Sequence, residues 1–140
     1  MSRAIEDLHP LVQVKCRAHL AACRTEGLDF LITSTYRDND EQAELYAQGR
    51  TKPGKIVTKA KPGQSMHNYR LAYDIVPMRN GKPVWGNTRP EDIALWTRIG
   101  ELGEKQGLEW AGRWKTFREY PHFQFTGGLT LADLQAGKRL

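Results

Sequence analysis

Cysteine is scarce in this chain, with two among 140 residues. Cys16 and Cys23 sit seven apart in a helical pattern, which at about 1.5 Å of rise per residue separates them by roughly 10 Å. That exceeds disulfide reach. The expectation is a pair of free thiols packed in a core, consistent with a reducing cytoplasm. Neither has a nearby histidine or second ligand pair that suggests nucleophilic or metal chemistry. No run of apolar residues approaches the length that spans a membrane, so no membrane insertion is expected. The opening segment, Met1-Ser2-Arg3-Ala4-Ile5-Glu6-Asp7, lacks an apolar core, so no secretory signal is read. Proline, glycine and serine do not gather into a linker, and no internal repeat is found. These absences leave a single domain over residues 1–140, long enough for a real core.

What is present is ordinary in bulk. Hydrophobic residues at 39% and charged residues at 26% describe a globular composition. The net charge of +5 favours anionic partners through the long-range field, nucleic acid or an anionic envelope among them. The basic residues are scattered except for Arg50, Lys52, Lys55, Lys59 and Lys61. No nucleic-acid motif accompanies them, so no nucleic acid is expected and a solvated basic loop is the reading.

Hydrophobic periodicity places the elements. Leu8, Leu11, Val12, Cys16, Leu20 and Cys23 fall at helical spacing, with Gly27 as the stop. His19 reads as an ordinary helix histidine. Leu28 to Thr35 is a strand with Phe30-Leu31-Ile32 buried. Asp38 and Glu41 resemble a capping box for a helix running to about Gln48, its apolar side Ala43, Leu45, Tyr46 and Ala47. Residues 50–64 carry Pro53-Gly54 and Pro62-Gly63, a long loop of the kind that is usually functional. Leu71 to about Met78 is a strand, Asn80-Gly81 a hairpin turn, and Pro83-Val84-Trp85 its return. Thr88 and Glu91 suggest a second capping box before a helix with Ile93, Leu95, Trp96, Ile99 and Leu102 inward. Trp110 and Trp114 either line a cleft or pack under a loop. His122-Phe123-Gln124-Phe125 is a short strand with His122 and Gln124 on one face, and Thr130 caps a terminal helix. The fold class is α+β: a small mixed or antiparallel sheet with packed helices, carrying a site on the sheet.

Two stretches supply chemistry. Ser65 to Asp74 holds His67 and Asp74, and Glu119-Tyr120-Pro121-His122 adds a second imidazole and carboxylate. A catalytic zinc takes three nitrogen or oxygen ligands and keeps one open position. His67, Asp74 and His122 form such a set for one zinc ion, with Glu119 to handle the proton of a water. His67 lies seven residues before Asp74, so one straight strand would point the two side chains to opposite faces. The chain must turn at Asn68-Tyr69-Arg70. If the strands carrying Asp74 and His122 are neighbours, those two side chains meet. On spacing alone a lone histidine is more often a packed or surface residue than a ligand, and Glu119 has the reading of a surface carboxylate.

Ser65-x-His67-x6-Asp74 followed by Glu119-x-x-His122 resembles the M15 family of zinc peptidases, the D-Ala-D-Ala carboxypeptidase and L-alanyl-D-glutamate endopeptidase group. Ser34-Thr35-Tyr36-Arg37 and Glu41 to Arg50 are similar to its segment before the first ligand. Pro62 to Ser65, His67-Asn68-Tyr69 and Tyr120 to Gln124 are similar to its small phage and bacterial endopeptidase branch. The likeness covers about Phe30 to Gln124, and departs at Arg70, where the branch usually has glycine.

The resemblance implies amide hydrolysis in the stem peptide of bacterial peptidoglycan, with His67, Asp74 and His122 on zinc and Glu119 as base. Arg37, whose planar fork suits carboxylate oxygens, would bind a substrate carboxylate or the oxyanion. A surface salt bridge is its other reading. Ser65 would hydrogen-bond substrate. The short form favours cutting the L-Ala–D-Glu bond over trimming D-Ala, and looks like a monomeric phage or prophage endolysin. Such an enzyme is made in the host cytoplasm and needs a holin to reach the wall. A zinc-stabilised wall-binding module without turnover is the alternative of another class.

Overall fold

The computed structural model describes residues 1–140. In chain order the elements are helix α1 (Pro10–Thr25), strand β1 (Asp29–Ser34), helix α2 (Asn39–Ala47), strands β2 (Ala72–Arg79) and β3 (Lys82–Pro83), helix α3 (Pro90–Glu104), strands β4 (Glu109–Trp110) and β5 (His122–Gln124), and helix α4 (Leu131–Gln135). Short 3-10 turns lie at Ile5–Asp7, Met66–Tyr69 and Ala111–Arg113. The sheet order is β1-β2-β5-β4, with β3 folded back on the end of β2 and every pairing antiparallel. The class is α+β, with the sheet antiparallel throughout. No helix is long and apolar enough to cross a membrane.

Strand β2 is the centre of the sheet, and period-two alternation divides its residues. Tyr73 and Ile75, with Phe123 of β5, belong to a core shared with Val12, Cys16 and Cys23 of α1 and Trp96, Ile99 and Leu102 of α3. The opposite face carries Asp74 and, across the β2–β5 pairing, His122. Both cysteines are buried free thiols, and burial pushes each up to about 12. They are inert packing groups.

Helix α3 lies close to the sheet because glycine faces it. A Cβ on Gly100 would stand 2.3 Å from the Trp110 ring, and one on Gly103 would stand 2.5 Å from Phe123. Next to this contact, His19 is fully buried between Phe30 and Phe123, its ring centroid 4.7 Å from each. Its Nε2 is 2.8 Å from the Ile99 carbonyl and its Nδ1 is 2.7 Å from the Tyr73 hydroxyl. A carbonyl only accepts, so Nε2 carries the proton and Nδ1 accepts from Tyr73. His19 is therefore a polar clasp between α1, α3 and β2, a role its helical position alone did not reveal.

Several local expectations changed with tertiary context. Leu31 is 48% exposed, because alternation turns it away while Phe30 goes inward. The buried residue of α2 is Gln42, and Ala43 is exposed. The Asp38–Glu41 capping box is present in both directions. Helix α3 begins instead at Pro90, with Arg89 at the cap and no capping side chain. Proline at the first position lacks one of the N–H groups that a helix start leaves unpaired, and its fixed φ suits the first turn. Ile93 is on its exposed side, at 37%. The hairpin turn is as expected, with Asn80 and Gly81 both at positive φ. Its return strand stops at Pro83, leaving Trp85 58% exposed.

The turn demanded between His67 and Asp74 is a 3-10 turn, Met66–Tyr69, ended by Arg70 in the left-handed region at φ 64°. Ser65 caps its start by accepting from the His67 N–H, and Asn68 returns the bond to the Ser65 N–H. Arg70 has compensating contacts. Its guanidinium lies 3.8 Å from the Tyr36 ring centroid and donates to the Asp7 carbonyl at 2.9 Å.

This arrangement sets two stability predictions. Burial lowers the His19 pKa to about 4, with the Ile99 carbonyl opposing, against an ordinary 6.5. Between these values the unfolded chain binds a proton that the folded chain refuses. The contribution is whole above pH 6.5 and is lost as pH falls toward 4, on the order of 3 kcal/mol in total. Chemical denaturation at pH 7, 5.5 and 4 should show a smaller loss in His19→Gln than in the native chain. At position 70, alanine loses the contacts and keeps the left-handed backbone, while glycine loses the contacts and relieves it. Arg70→Gly should melt above Arg70→Ala by about 1 kcal/mol equivalent, and the reverse order would remove backbone strain from position 70.

Candidate metal centre

The β2–β5 register makes Asp74 and His122 cross-strand partners. His122 Nδ1 lies 3.1 Å from Asp74 Oδ1. The 3-10 turn brings in His67, whose Nε2 is 3.2 Å from the same oxygen. One ligand atom from each residue lies within 4.8 Å of the others. The two imidazoles are 2% and 7% exposed, whereas the Asp74 side chain is 24% exposed and opens toward solvent. Three donors thus converge from two strands and a turn, with one side left free.

Hydrogen bonds behind the rings choose the nitrogens. His67 Nδ1 is 2.8 Å from the Thr35 carbonyl, so it carries the proton and leaves the Nε2 lone pair forward. His122 Nε2 is 2.7 Å from Gln124 Oε1, so there Nδ1 faces forward. Such partners behind a ligand ring are the usual way a metal-binding histidine is oriented. Despite its nearness to Asp74, His67 Nε2 is a buried nitrogen with no hydrogen-bond partner. The 3.2 Å approach to Asp74 is too poorly aligned to make a hydrogen bond. A buried polar atom of this kind calls for an explanation, and a cation at the shared focus supplies it. Two nitrogens and a carboxylate oxygen suit zinc, with a fourth position open.

The electrostatics of the protein groups favour a cation at this focus. Burial pushes the Asp74 carboxyl up, but His67 and His122 outweigh it and hold it well below the usual carboxylate range. Burial pushes His122 down, and Asp74 and Glu119 overcome that and raise it. The carboxylate is ionised and ready for a cation.

Glu119 enters from the segment before β5. Its Oε2 lies 3.7 Å from His122 Nδ1, and its side chain is half exposed. It stands beside the focus, facing a cleft of about 760 Å³. One wall of the cleft comes from the long loop, with Val57, Thr58 and Ala60, and the other from Trp114, Arg118 and Glu119. Lys59 Nζ sits 4.1 Å from the Phe117 ring centroid and joins the two walls. Trp114 is a cleft residue, its ring centroid 5.6 Å from that of His122, while Trp110 is core.

Arg37 is 8% exposed, so it is a buried guanidinium lining the cleft and not a surface salt bridge. It donates to Gln42 Oε1 at 3.0 Å and to Ser34 Oγ at 3.4 Å, and lies 3.9 Å from Asp74 Oδ2. Burial lowers its pKa, with Asp74, Glu119 and Glu41 opposing. Its Nε has no partner. Ser65 lines the cleft too, with its hydroxyl already accepting from the His67 N–H. Sequence reasoning missed Gln42, whose amide accepts from Arg37 and donates to the Ala60 carbonyl at 2.8 Å. It fixes the arginine and ties the long loop to α2. The available signal was its place one turn into a helix that starts beside Arg37.

Comparison with known proteins gives the class. A sequence profile described as D-alanyl-D-alanine carboxypeptidase, of the M15 peptidases, matches residues 58–125. The peptidoglycan L-alanyl-D-glutamate endopeptidase CwlK of Bacillus subtilis (strain 168) is 42% identical over 124 residues, 84% of this chain and 73% of CwlK. The chain belongs to the M15 family of zinc-dependent metallopeptidases. Solved structures share its fold. The Serratia marcescens L-Ala D-Glu endopeptidase ChiX superposes with a TM-score of 0.66 at 23% identity, over 93% of this chain and 86% of ChiX. The D,D-pentapeptidase VanY of a VanB-type resistance cassette, as a variant in complex with Zn(II), gives 0.62 at 18% identity, over 92% of this chain and 78% of VanY.

The surroundings of Arg37 make its fork testable. Arg37→Lys keeps the charge but cannot hold Gln42 and a substrate oxygen in one plane. Losing one charge-assisted hydrogen bond of about 1.5–3 kcal/mol should lower kcat/KM by roughly 10- to 100-fold. Zinc content should stay unchanged. Steady-state kinetics with metal analysis checks this, and native kinetics would exclude substrate binding by Arg37.

Proposed function

We propose that this metallopeptidase hydrolyses the L-Ala–D-Glu bond in the stem peptide of bacterial peptidoglycan. His67 Nε2, Asp74 and His122 Nδ1 hold one zinc ion, Glu119 acts as general acid and base, and Arg37 binds an anionic group of the substrate. The observation that carries the reading is the convergence of three ligand atoms with Glu119 at their open side. The likeness to CwlK supports the choice of bond. Arg37 and Arg118 on the cleft suit a peptide bearing carboxylates.

Zinc held there supplies a Lewis acid for the scissile carbonyl and makes water acidic near neutral pH. Glu119 takes the proton of the attacking water and delivers it to the departing D-Glu nitrogen, so one carboxylate serves both halves of the reaction. His67 and His122 stay neutral and fixed, each holding its remaining proton on Thr35 or Gln124. Arg37 orients the substrate by a carboxylate, and its buried attachment to Gln42 keeps the fork in place before substrate arrives. Such preorganisation lowers the entropy cost of the reacting geometry.

Removal of D-Ala from stem-peptide ends is the second reading, favoured by the description of the matching profile. As part of the proposal, the chain serves as a single-domain phage or prophage lytic enzyme, active from within a cell only when the inner membrane is permeabilised. Host cells expressing it with and without such permeabilisation test that placement, and equal lysis in both would reject it.

Mass spectrometry of digested peptidoglycan separates the activities. New N-terminal D-Glu is the expected product, free D-Ala would support the second reading, and no product would leave a wall-binding module. In Glu119→Gln, turnover should fall by about 10²–10⁴-fold, the usual weight of a general acid–base group. Its zinc content by atomic absorption should equal that of the native chain. Loss of zinc together with activity would make Glu119 a ligand, and retained activity would remove it from the mechanism.

A further inference from the structure

Behind the metal-facing side of His122 lies a chain of three hydrogen bonds, closed by a ring contact, that the proposed reaction does not require. Gln124 stands opposite Glu109 in the β4–β5 pairing. Its Oε1 accepts from His122 Nε2 at 2.7 Å, and its Nε2 donates to Glu109 Oε1 at 3.4 Å. The other oxygen of Glu109 accepts from Trp114 Nε1 at 2.7 Å. Trp114 returns to the start, its ring 5.6 Å from that of His122. The circuit runs from a ligand ring through an amide and a carboxylate to a wall of the cleft.

The ends of this circuit differ in chemistry. An ionised carboxylate accepts at both oxygens and donates at neither, an indole N–H only donates, and an amide has one end of each kind. Glu109 therefore compels Gln124 to present its NH2, which turns the amide oxygen toward His122. That oxygen demands a proton on His122 Nε2, which makes Nδ1 the nitrogen that would offer its lone pair to a metal in place of its 3.1 Å contact with Asp74 Oδ1. We propose that Glu109 is a positioning residue for the metal centre: its acceptor-only carboxylate sets the Gln124 amide, hence the His122 tautomer, and holds Trp114 against the ligand ring. This rests on the reading of His122 as a zinc ligand.

The polarity of the circuit can be broken and then restored. Glu109→Gln keeps the shape but offers a single acceptor, which the closer indole takes. The new amide then turns its NH2 toward that of Gln124. Relief comes from inverting Gln124, which points a donor at His122 Nε2 and moves the imidazole proton to Nδ1, the atom the metal needs. In the reciprocal pair E109Q/Q124E the amide at 109 donates to a carboxylate at 124, whose other oxygen accepts from His122 Nε2. The tautomer returns, with net charge unchanged from the native chain.

The test is the zinc affinity of the metal-free full-length chain, read by competition with a chromophoric chelator. It covers the native chain, E109Q, E109A and E109Q/Q124E, with thermal melts of each. Affinity should fall about 10- to 100-fold in E109Q, the usual effect of losing a partner behind a ligand. E109A removes the constraint without imposing the wrong polarity, so its loss should be smaller. E109Q/Q124E should recover the native affinity. A merely structural role predicts the opposite order, with alanine worse than the isosteric amide. Native affinity in E109Q, greater loss in E109A, or no recovery in the pair would each overturn the proposal. If E109Q does not fold, weaker binding by E109A than by the pair supports the relay, and equal binding overturns it. A native chain that binds no zinc would remove His122 as a ligand and the relay with it.

Discussion

One carboxylate oxygen facing two imidazole nitrogens is the constraint on which the site depends. Oδ1 of Asp74 is approached by His67 Nε2 and His122 Nδ1 at nearly equal distances. Among the protein groups this geometry is only partly satisfied: one nitrogen has no aligned partner, and the carboxylate is held ionised by its neighbours. A cluster that protein groups alone leave short of partners is costly to fold. The fold accepts that cost and supports the cluster from behind. The Thr35 carbonyl fixes one ring, and Gln124 fixes the other.

The support reaches the core through alternation. Asp74 and His122 face the cleft because Tyr73 and Phe123, their neighbours in sequence, face the helices. Tyr73 and Phe123 stack on each other at 5.6 Å and meet His19, which is bonded to the backbone of α3. The metal-facing side chains are thus the reverse of a polar and aromatic layer that cannot slide by one residue without exchanging its faces. Arg70 completes the frame. Its left-handed backbone lets His67 arrive from a turn rather than from the strand, and its guanidinium is anchored on Tyr36 and Asp7.

Much of this was legible in the sequence wherever the signal is local. The helix stop at Gly27, the Asp38–Glu41 cap and the Asn80-Gly81 turn each follow from one or two residues and their backbone preferences. The ligand trio was legible as a motif, and the odd separation of His67 from Asp74 was enough to require a turn. Burial of polar groups was not legible. His19 is inside because of Tyr73 and Ile99, far away in sequence, while Gln42 and Gln124 each have one partner close by, Arg37 and His122, and a second, Ala60 or Glu109, that only the fold brings in. Leu31 and Ile93 failed for the converse reason, since an apolar residue on a half-covered element goes in or out according to its face. The start of α3 was misplaced because a threonine with a glutamate three residues on competed with a proline that begins helices without a cap.

The close seating of α3 on the sheet has a mechanical consequence. With Gly100 and Gly103 in van der Waals contact with Trp110 and Phe123, the floor beneath the ligand rings has no slack in which a bulkier substrate could be absorbed. The walls differ, since the Lys59–Phe117 contact across the mouth is an exposed cation–π pair worth about 0.5–1 kcal/mol. That is close to thermal energy, so the mouth yields where the floor does not. The fold divides stiffness between its parts: the chemistry is held by a rigid bed, and accommodation to a substrate falls to the two walls of the cleft.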